Sequence, residues 1–405
     1  MTRIPRRSND GSILSAASLS VGARRGNLNA PLADVRNERH PSGRSSSNSK
    51  TGFHVRRADP EDPADRDGII RLWLGNLPQI TPAAAARRFA WLYRENPAGP
   101  AVTWLAVDDE DGRAVGCASI IPRRFVIEGN LLQGGLAIDF AVEERYRAYG
   151  AALRLQRTIS ERVWEQGFEL LFAFPNTASR GVFRRVGYKA VGQPWCGARL
   201  IRSFDKLRQR LPILPLATVF SKCVDVALLA QNRIALSRTR GGLQTIVTEE
   251  PDDRWQRFWE EKRSTVQFGV SQDLDYLQWY QRQPGVVRRF FGIQDGAGEL
   301  LGYLVYTRRK EVLAVQDIQV LSERELGPLM EHFWREMHHA GASVFNIGLV
   351  GNEAAIRMFR GGGFVTRPGG GWAGILPGPN IDSDVLQALR RADRGWYLAD
   401  ADLDL

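Results

Sequence analysis

A chain of 405 residues exceeds one ordinary compact domain and calls for two. Hydrophobic content of 43% and charged content of 25% are ordinary globular values, which exclude a wholly disordered, collagen-like or polytopic membrane protein. The formal charge of +10 sits mostly at the start: residues 1–50 hold nine Arg and Lys against three acids, a net of +6, and the remaining residues carry only +4. That leaves the globular part only weakly basic, which weighs against a nucleic-acid partner while leaving room for an anionic nucleotide ligand.

Residues 1–52 contain ten Ser, many Asn and Arg and no sustained apolar period, so they read as a disordered basic tail. Order begins with a strand at 53–56, followed by helical spacing at 69–73 and 83–93. Strands follow at 102–107 and 114–121, joined by the acidic turn 108–112 in a hairpin pattern. Further strands are expected at 124–127 and 136–142, with Gly129-Asn130 turning between them. A helix starts near Gly150, its apolar positions Ala152, Leu155, Ile159 and Val163 spaced 3, 4 and 4. A strand at 170–174 and a helix at 177–186 complete the unit, which is α/β with a mixed sheet of the α+β kind.

The unit then repeats. Asn176, Phe183, Arg184, Gly187 and Tyr188 recur at identical spacing as Asn352, Phe359, Arg360, Gly363 and Phe364. Upstream, Trp91, Arg94 and Pro97 are echoed by Trp279, Arg282 and Pro284, and Ala114-Val115-Gly116 by Leu300-Leu301-Gly302. Three anchors in one order imply two copies of one fold. The divisions expected are 1–52, 53–200, a connecting segment 201–248, 249–376, and an extension 377–405. Within the connection, 211–236 is apolar but interrupted by Lys222 and Asp225, which fits a connecting helix or peripheral contact with a lipid surface and not stable membrane insertion. The acid-and-apolar end, 395–405, reads as an exposed tail or a closing strand.

Three scattered cysteines without a CxxC pair imply no disulfide framework and a reducing, cytoplasmic setting. His332, His338 and His339 fall on a helix face, and no metal site is expected.

Chemistry concentrates at 138–153. A strand ends, the loop of Arg147, Ala148, Tyr149 and Gly150 follows, and a helix opens at Ala151 and Ala152. Free backbone N–H groups at a helix start, with its positive dipole end and a Gly for close approach, suit a pyrophosphate. Arg147, Gly150 and Ala152 fill the Arg/Gln-x-x-Gly-x-Gly/Ala pattern, and Pro175-Asn176, Phe183 and Gly187-Tyr188 a second pattern downstream. On these residues, 53–200 resembles the GNAT superfamily of acyl-CoA-dependent N-acyltransferases, and the whole looks like a tandem GNAT whose second copy matches the downstream pattern alone. The Trp91–Pro97 and 396–402 elements are similar to GNAT-like proteins of polysaccharide biosynthesis.

The resemblance implies acetyl-CoA, or another acyl-CoA, as co-substrate, with no metal, and a small-molecule amine as acceptor, with an amino sugar among the candidates. It implies that the backbone of Phe140, Ala141 and Val142 holds the pantetheine arm and that N–H groups of 147–152 receive the pyrophosphate. Asn176 would lie near the thiol end or simply make the turn before its helix. Strand alternation puts Leu136, Ile138, Phe140 and Val142 on one face and Ala137, Asp139 and Ala141 on the other. Asp139 is therefore the first choice as base or ammonium anchor, ahead of Glu143 and Glu144. The family's usual acid, a Tyr, is replaced by Phe183, which passes the role to Tyr188, Tyr146 or water. In the second copy Glu323, Glu325 and Pro328 replace the phosphate loop, so no CoA is expected there. Two other readings stand beside this one: a catalytically silent GNAT-scaffold binding or regulatory protein, and a tRNA-dependent aminoacyltransferase.

Overall fold

The computed structural model describes residues 52–76, 80–192, 194–202, 242–351, 353–367, 372–391 and 396–399. The readings of 1–51 as a tail, of 211–236 as a connecting helix, and of Asn352 lie outside the described residues.

The first half runs β1 (Phe53–Arg57), α1 (Pro63–Asn76), α2 (Pro82–Phe89), β2 (Val102–Asp108), β3 (Ala114–Ile127), β4 (Asn130–Val142), α3 (Glu144–Arg147), α4 (Ala151–Arg162), β5 (Leu170–Ala173), α5 (Arg180–Arg185), β6 (Lys189–Gly192) and β7 (Trp195–Leu200). The second half runs β8 (Gln244–Thr248), α6 (Asp253–Arg263), β9 (Phe268–Val270), α7 (Leu274–Gln281), β10 (Arg288–Gln294), β11 (Leu300–Arg309), β12 (Val312–Val320), α8 (Leu326–His339), β13 (Val344–Gly351), α9 (Glu353–Gly361), β14 (Val365–Arg367) and β15 (Ala373–Pro377). α10 (Ser383–Arg391) and β16 (Trp396–Ala399) close the described chain. The strands expected at 114–121 and 124–127 are one strand, β3, because Pro122 sits within it opposite Gly135 and breaks nothing.

Local chemistry explains the helix starts. Thr81 accepts from the Ala84 N–H with Pro82 at the first position of α2, Asp252 caps α6 through the Arg254 N–H, and Asp273 caps α7 through the Tyr276 N–H. α2 does not stop at Phe89 but continues into a π-helical turn, Ala90–Arg94, closed by the Glu95 N–H on the Ala90 carbonyl.

All strands join one sheet, and the same order appears in each half. β2, β3 and β4 are antiparallel neighbours and β5 runs parallel to β4; β10, β11 and β12 are antiparallel neighbours and β13 runs parallel to β12. Then the halves trade a strand. β15 lies between β5 and β6, whereas β7 lies between β13 and β14. The trade is carried by a repeated Trp-x-Gly. Trp195 stacks on Phe359 of the second half at 6.0 Å, and Trp372 joins the cluster of Phe183 and Tyr188 in the first. Gly197 and Gly374 exist because each Trp ring folds over the Gly two residues on; a Cβ there would stand 2.4 Å and 2.2 Å from the ring.

At the junction Trp91 and Trp279 stack at 4.5 Å, and each indole N–H donates to the other's carbonyl, at 2.8 Å and 2.9 Å. This reciprocal pair lies on a local two-fold relation between the halves. One apolar core runs across it, from Trp73, Phe89 and Tyr93 to Trp255, Leu277 and Tyr280. The sequence ranges mark repeats of element order, and the sheet and core do not part along them. No helix among the described residues is long and apolar enough to cross a membrane.

Candidate active site

β4 is built to open. Its parallel register with β5 ends at Ala137 opposite Ala173, and no described strand pairs with residues 138–142 on that side. On the other side β4 stays paired to β3, with one irregularity between Cys117 and Ser119, where Asp139 and Phe140 together face a single residue. Asp139 takes φ +51°, the left-handed region that a short polar side chain tolerates best. This bulge corrects the simple alternation. Leu136 and Ile138 pack on the α1–α2 face, but Phe140 and Val142 pack on the α4–α5 face, because the extra residue shifts the pleat by one.

The bulge aims Asp139 at α2. Arg88 donates to its two carboxylate oxygens at 2.9 Å and 3.2 Å, and the Tyr93 hydroxyl donates to Oδ2 at 3.0 Å. Tyr93 also bonds the Ser119 hydroxyl, which bonds Thr103 at 2.9 Å. The Arg88 guanidinium lies 4.5 Å over Trp73. The side chain of Asp139 is only 6% exposed and that of Arg88 14%, so the pair is largely shielded from water. Burial, with the Asp139 charge beside it, pushes the Tyr93 hydroxyl well up, so it stays a donor. Burial and the same charge push the Cys117 thiol up, and its Sγ donates to the Asp139 carbonyl at 3.2 Å. The sequence named Asp139 but missed Arg88, Tyr93, Ser119 and Thr103. Arg88 and Tyr93 are five apart and reach one carboxylate because the π-helical turn begins between them, a local widening with no mark in the sequence.

The loop leads from the open edge to α4. Arg147 turns back, its Nε donating to the Val142 carbonyl at 2.9 Å and its guanidinium reaching Asn76 at 3.4 Å. The N–H groups of Tyr149 and Gly150 close turns onto Tyr146 and Arg147, and Arg154 makes the first helical bond, to Gly150. Ala151, Ala152 and Leu153 are left with N–H groups that helix geometry cannot satisfy and that no side chain caps among the described residues. Gly150 has φ +79°, and a Cβ there would meet nothing within 4 Å. Ala148 and Tyr149 are exposed.

The remaining predicted residues divide. Asn176 uses its side-chain oxygen on the Ser179 N–H and hydroxyl at 3.0 Å and 3.1 Å, which makes the turn before α5. Tyr188 is buried, and its hydroxyl has no hydrogen-bond partner among the described residues; burial pushes it well up, so it stays protonated. Its ring contacts Phe183 at 5.0 Å, and Phe183 contacts Phe140 at 5.8 Å. Tyr146 is committed elsewhere, its hydroxyl donating to Asp108. Glu143 is not a solvated acid: burial works against its charge, but hydrogen bonds from Arg113 and Arg71 outweigh that and hold the carboxyl below its ordinary range. Among the described residues no group of three His, Cys, Asp or Glu is placed to hold a metal.

An unpaired strand edge running into a helix start with free N–H groups fits an elongated ligand that has amides along its length and an anionic end. An acyl-CoA has that form.

Residues 67–188 match the model of the acetyltransferase (GNAT) family. No curated protein matches the chain. Among solved structures, a conserved protein of Enterococcus faecalis V583 described as a probable N-acyltransferase is 12% identical with a TM-score of 0.60, over 81% of this chain and 72% of that one. A GCN5-related N-acetyltransferase from Kribbella flavida is 14% identical with a TM-score of 0.55 over the same shares. Another from Anabaena variabilis ATCC 29413 is 13% identical with a TM-score of 0.56, over 79% and 72%. These likenesses establish the fold: a mixed α/β chain of GNAT architecture.

Proposed function

We propose that the chain is an acyl-CoA-dependent N-acyltransferase of tandem GNAT form, moving an acyl group, most simply acetyl, to the primary amine of a small molecule. The observation that carries this reading is the open edge of β4 at 138–142, continuous with the free N–H groups of 151–153. Acyl-CoA supplies an activated thioester carbonyl when bound. The edge of Phe140, Ala141 and Val142 holds the pantetheine amides, and the start of α4 holds the pyrophosphate.

Asp139 lies on the α1–α2 face, across β4 from Phe140. A carboxylate already held by a guanidinium and a phenol serves better as the anchor of an ammonium group than as a strong base, so we assign Asp139 to positioning the acceptor. The ammonium releases its proton to solvent, the nitrogen lone pair attacks the thioester carbon, the C–S bond breaks, the new amide nitrogen gives its remaining extra proton to solvent, and the sulfur takes one proton from solvent, while Tyr188, the acid expected from the sequence, stays a neutral phenol. A thiol with an unperturbed pKa of about 8.5 is a competent leaving group, so the loss of the usual acid at Phe183 is tolerable. The Trp91–Pro97 element lies at the junction of the halves, Trp91 against Trp279, and so adds nothing in favour of an amino-sugar acceptor.

Calorimetric titration with acetyl-CoA tests the reading, and we expect one molecule bound per chain. Gly150→Glu places a carboxylate where the phosphates bind and should weaken binding by roughly 100-fold or more. Gly150→Ala carries the backbone strain, about 1–2 kcal/mol, without the charge and should stay within about tenfold. Absence of binding at millimolar acetyl-CoA would sink the enzyme reading and favour a silent scaffold. Full binding by Gly150→Glu would move the site elsewhere. Release of free thiol in the presence of a panel of primary amines then identifies the acceptor.

A further inference from the structure

The second half parts its strands at the same place. Gly116 faces Val142 in the first half and Gly302 faces Val320 in the second, so these valines are equivalent. The parallel register ends five residues before each, at Ala137 and at Val315. Beyond it, β12 and β13 diverge as β4 and β5 do. Here, however, the gap is filled. β13 uses its edge at 349–351 to pair antiparallel with β16, Leu349 facing Ala399, Val350 facing Leu398 and Gly351 facing Tyr397. Because β7 already takes the opposite edge at Leu349, β16 must lie on the β12 side, within the divergence. β16 also pairs with β9, which joins the far end of β3. Leu398 is 1% exposed and packs in the core that crosses the two halves.

We propose that the divergence of the second half is a peptide-binding cleft, specific for an extended apolar strand, and that its occupant is the chain's own C-terminal segment. Main-chain hydrogen bonds supply the binding and the Leu398 side chain the specificity, as in strand addition to an open sheet edge. In place of free N–H groups at its mouth, this cleft has a turn capped by Ser322, which accepts from the Arg324 N–H, and the acids Glu323 and Glu325. It is therefore shaped for a neutral peptide and not for a phosphorylated ligand.

The test keeps the full chain. In Leu398→Asp the buried leucine becomes a charge, β16 should leave, and the cleft should accept a fluorescein-labelled peptide of residues 392–405 with saturable one-to-one binding. The unmodified chain should bind that peptide at least tenfold more weakly, and a peptide carrying Leu398→Asp should bind neither. Hydrogen exchange on the unmodified chain is the second readout: amides of 349–351 should be protected as well as those of 344–347. Equal peptide binding by both chains, no binding by a folded Leu398→Asp chain, or unprotected amides at 349–351 would overturn the proposal. So would binding of a second acetyl-CoA by Leu398→Asp, since the cleft would then be a cofactor site merely blocked. None of the peptide arms depends on CoA, so failure of the acyltransferase reading leaves them interpretable.

Discussion

The equivalent strands of the two halves, β4 and β12, show how little separates an open polar edge from a core. Counting back three from the equivalent valines places Asp139 opposite Asp317. Around Asp139 stand Arg88, Tyr93, Ser119 and Thr103, while the matching positions of the second half hold Tyr276, Gln281, Val305 and Phe290. Asp317 is 1% exposed, and its Oδ1 accepts from the Ile318 N–H at 2.7 Å and from Gln319 at 3.2 Å, both on its own strand. Asp139 serves a cluster on another element. The gap beyond it is open in one half and holds β16, paired to β13, in the other. One frame therefore gives a polar cluster beside an unpaired edge in one half, and packing where both are filled in the other.

The largest effect should come from breaking what the halves share. Trp91→Ala removes a buried ring and an indole bond to the other half, and should cost about 3–5 kcal/mol. Trp279→Ala should cost as much, and the double variant should lose less than the sum because each removes the other's partner. Chemical denaturation checks this; strictly additive losses, or two separate unfolding transitions, would show halves that fold independently.

Next comes the difference between the aspartates. Asn tolerates the left-handed backbone at 139, so Asp139→Asn keeps the bulge and removes the charge. We expect kcat/KM for the amine to fall roughly 100-fold, about 2.7 kcal/mol, mainly through KM, with acetyl-CoA binding unchanged. Asp317→Asn should leave turnover unchanged and lower only the melting temperature. An Asp139→Asn chain that loses kcat alone, with an altered pH profile, would return Asp139 to the role of base.

Much of this was legible in the residues. Periodicity placed α4, and repeated spacing pointed to the repeated strand order, because those features live within a few turns of chain. What the sequence concealed depends on partners distant in the chain. Arg88 meets Asp139 only through a π-helical turn and a bulge. Simple alternation puts Phe140 on the same face as Ile138, since nothing in a run of alternating residues announces an extra one. Tyr146 reads as a free acid in the sequence, and only the fold brings Asp108 beside its hydroxyl. The strand trade had a signal, Trp195-Cys196-Gly197 recurring as Trp372-Ala373-Gly374, but a three-residue match says nothing about which half each strand joins.

That trade yields the smallest and most discriminating expectation. Gly374 comes late in the chain, yet β15 pairs with β5, and Gly374 faces Ala173 where the β4–β5 register ends. A methyl group at 374 must push the Trp372 ring out of the cluster that holds Phe183 and Tyr188. Gly374→Ala should therefore cost about 1–3 kcal/mol of stability, as overpacking does, and also raise the KM for acetyl-CoA. Gly197→Ala commits the same offence against Trp195, whose neighbours are Phe359 and Phe364, and should cost similar stability with the KM unchanged. Equal stability losses with opposite kinetic outcomes would separate the strand trade from general damage. A raised KM in Gly197→Ala alone would mean that the second half, and not the first, holds the cofactor.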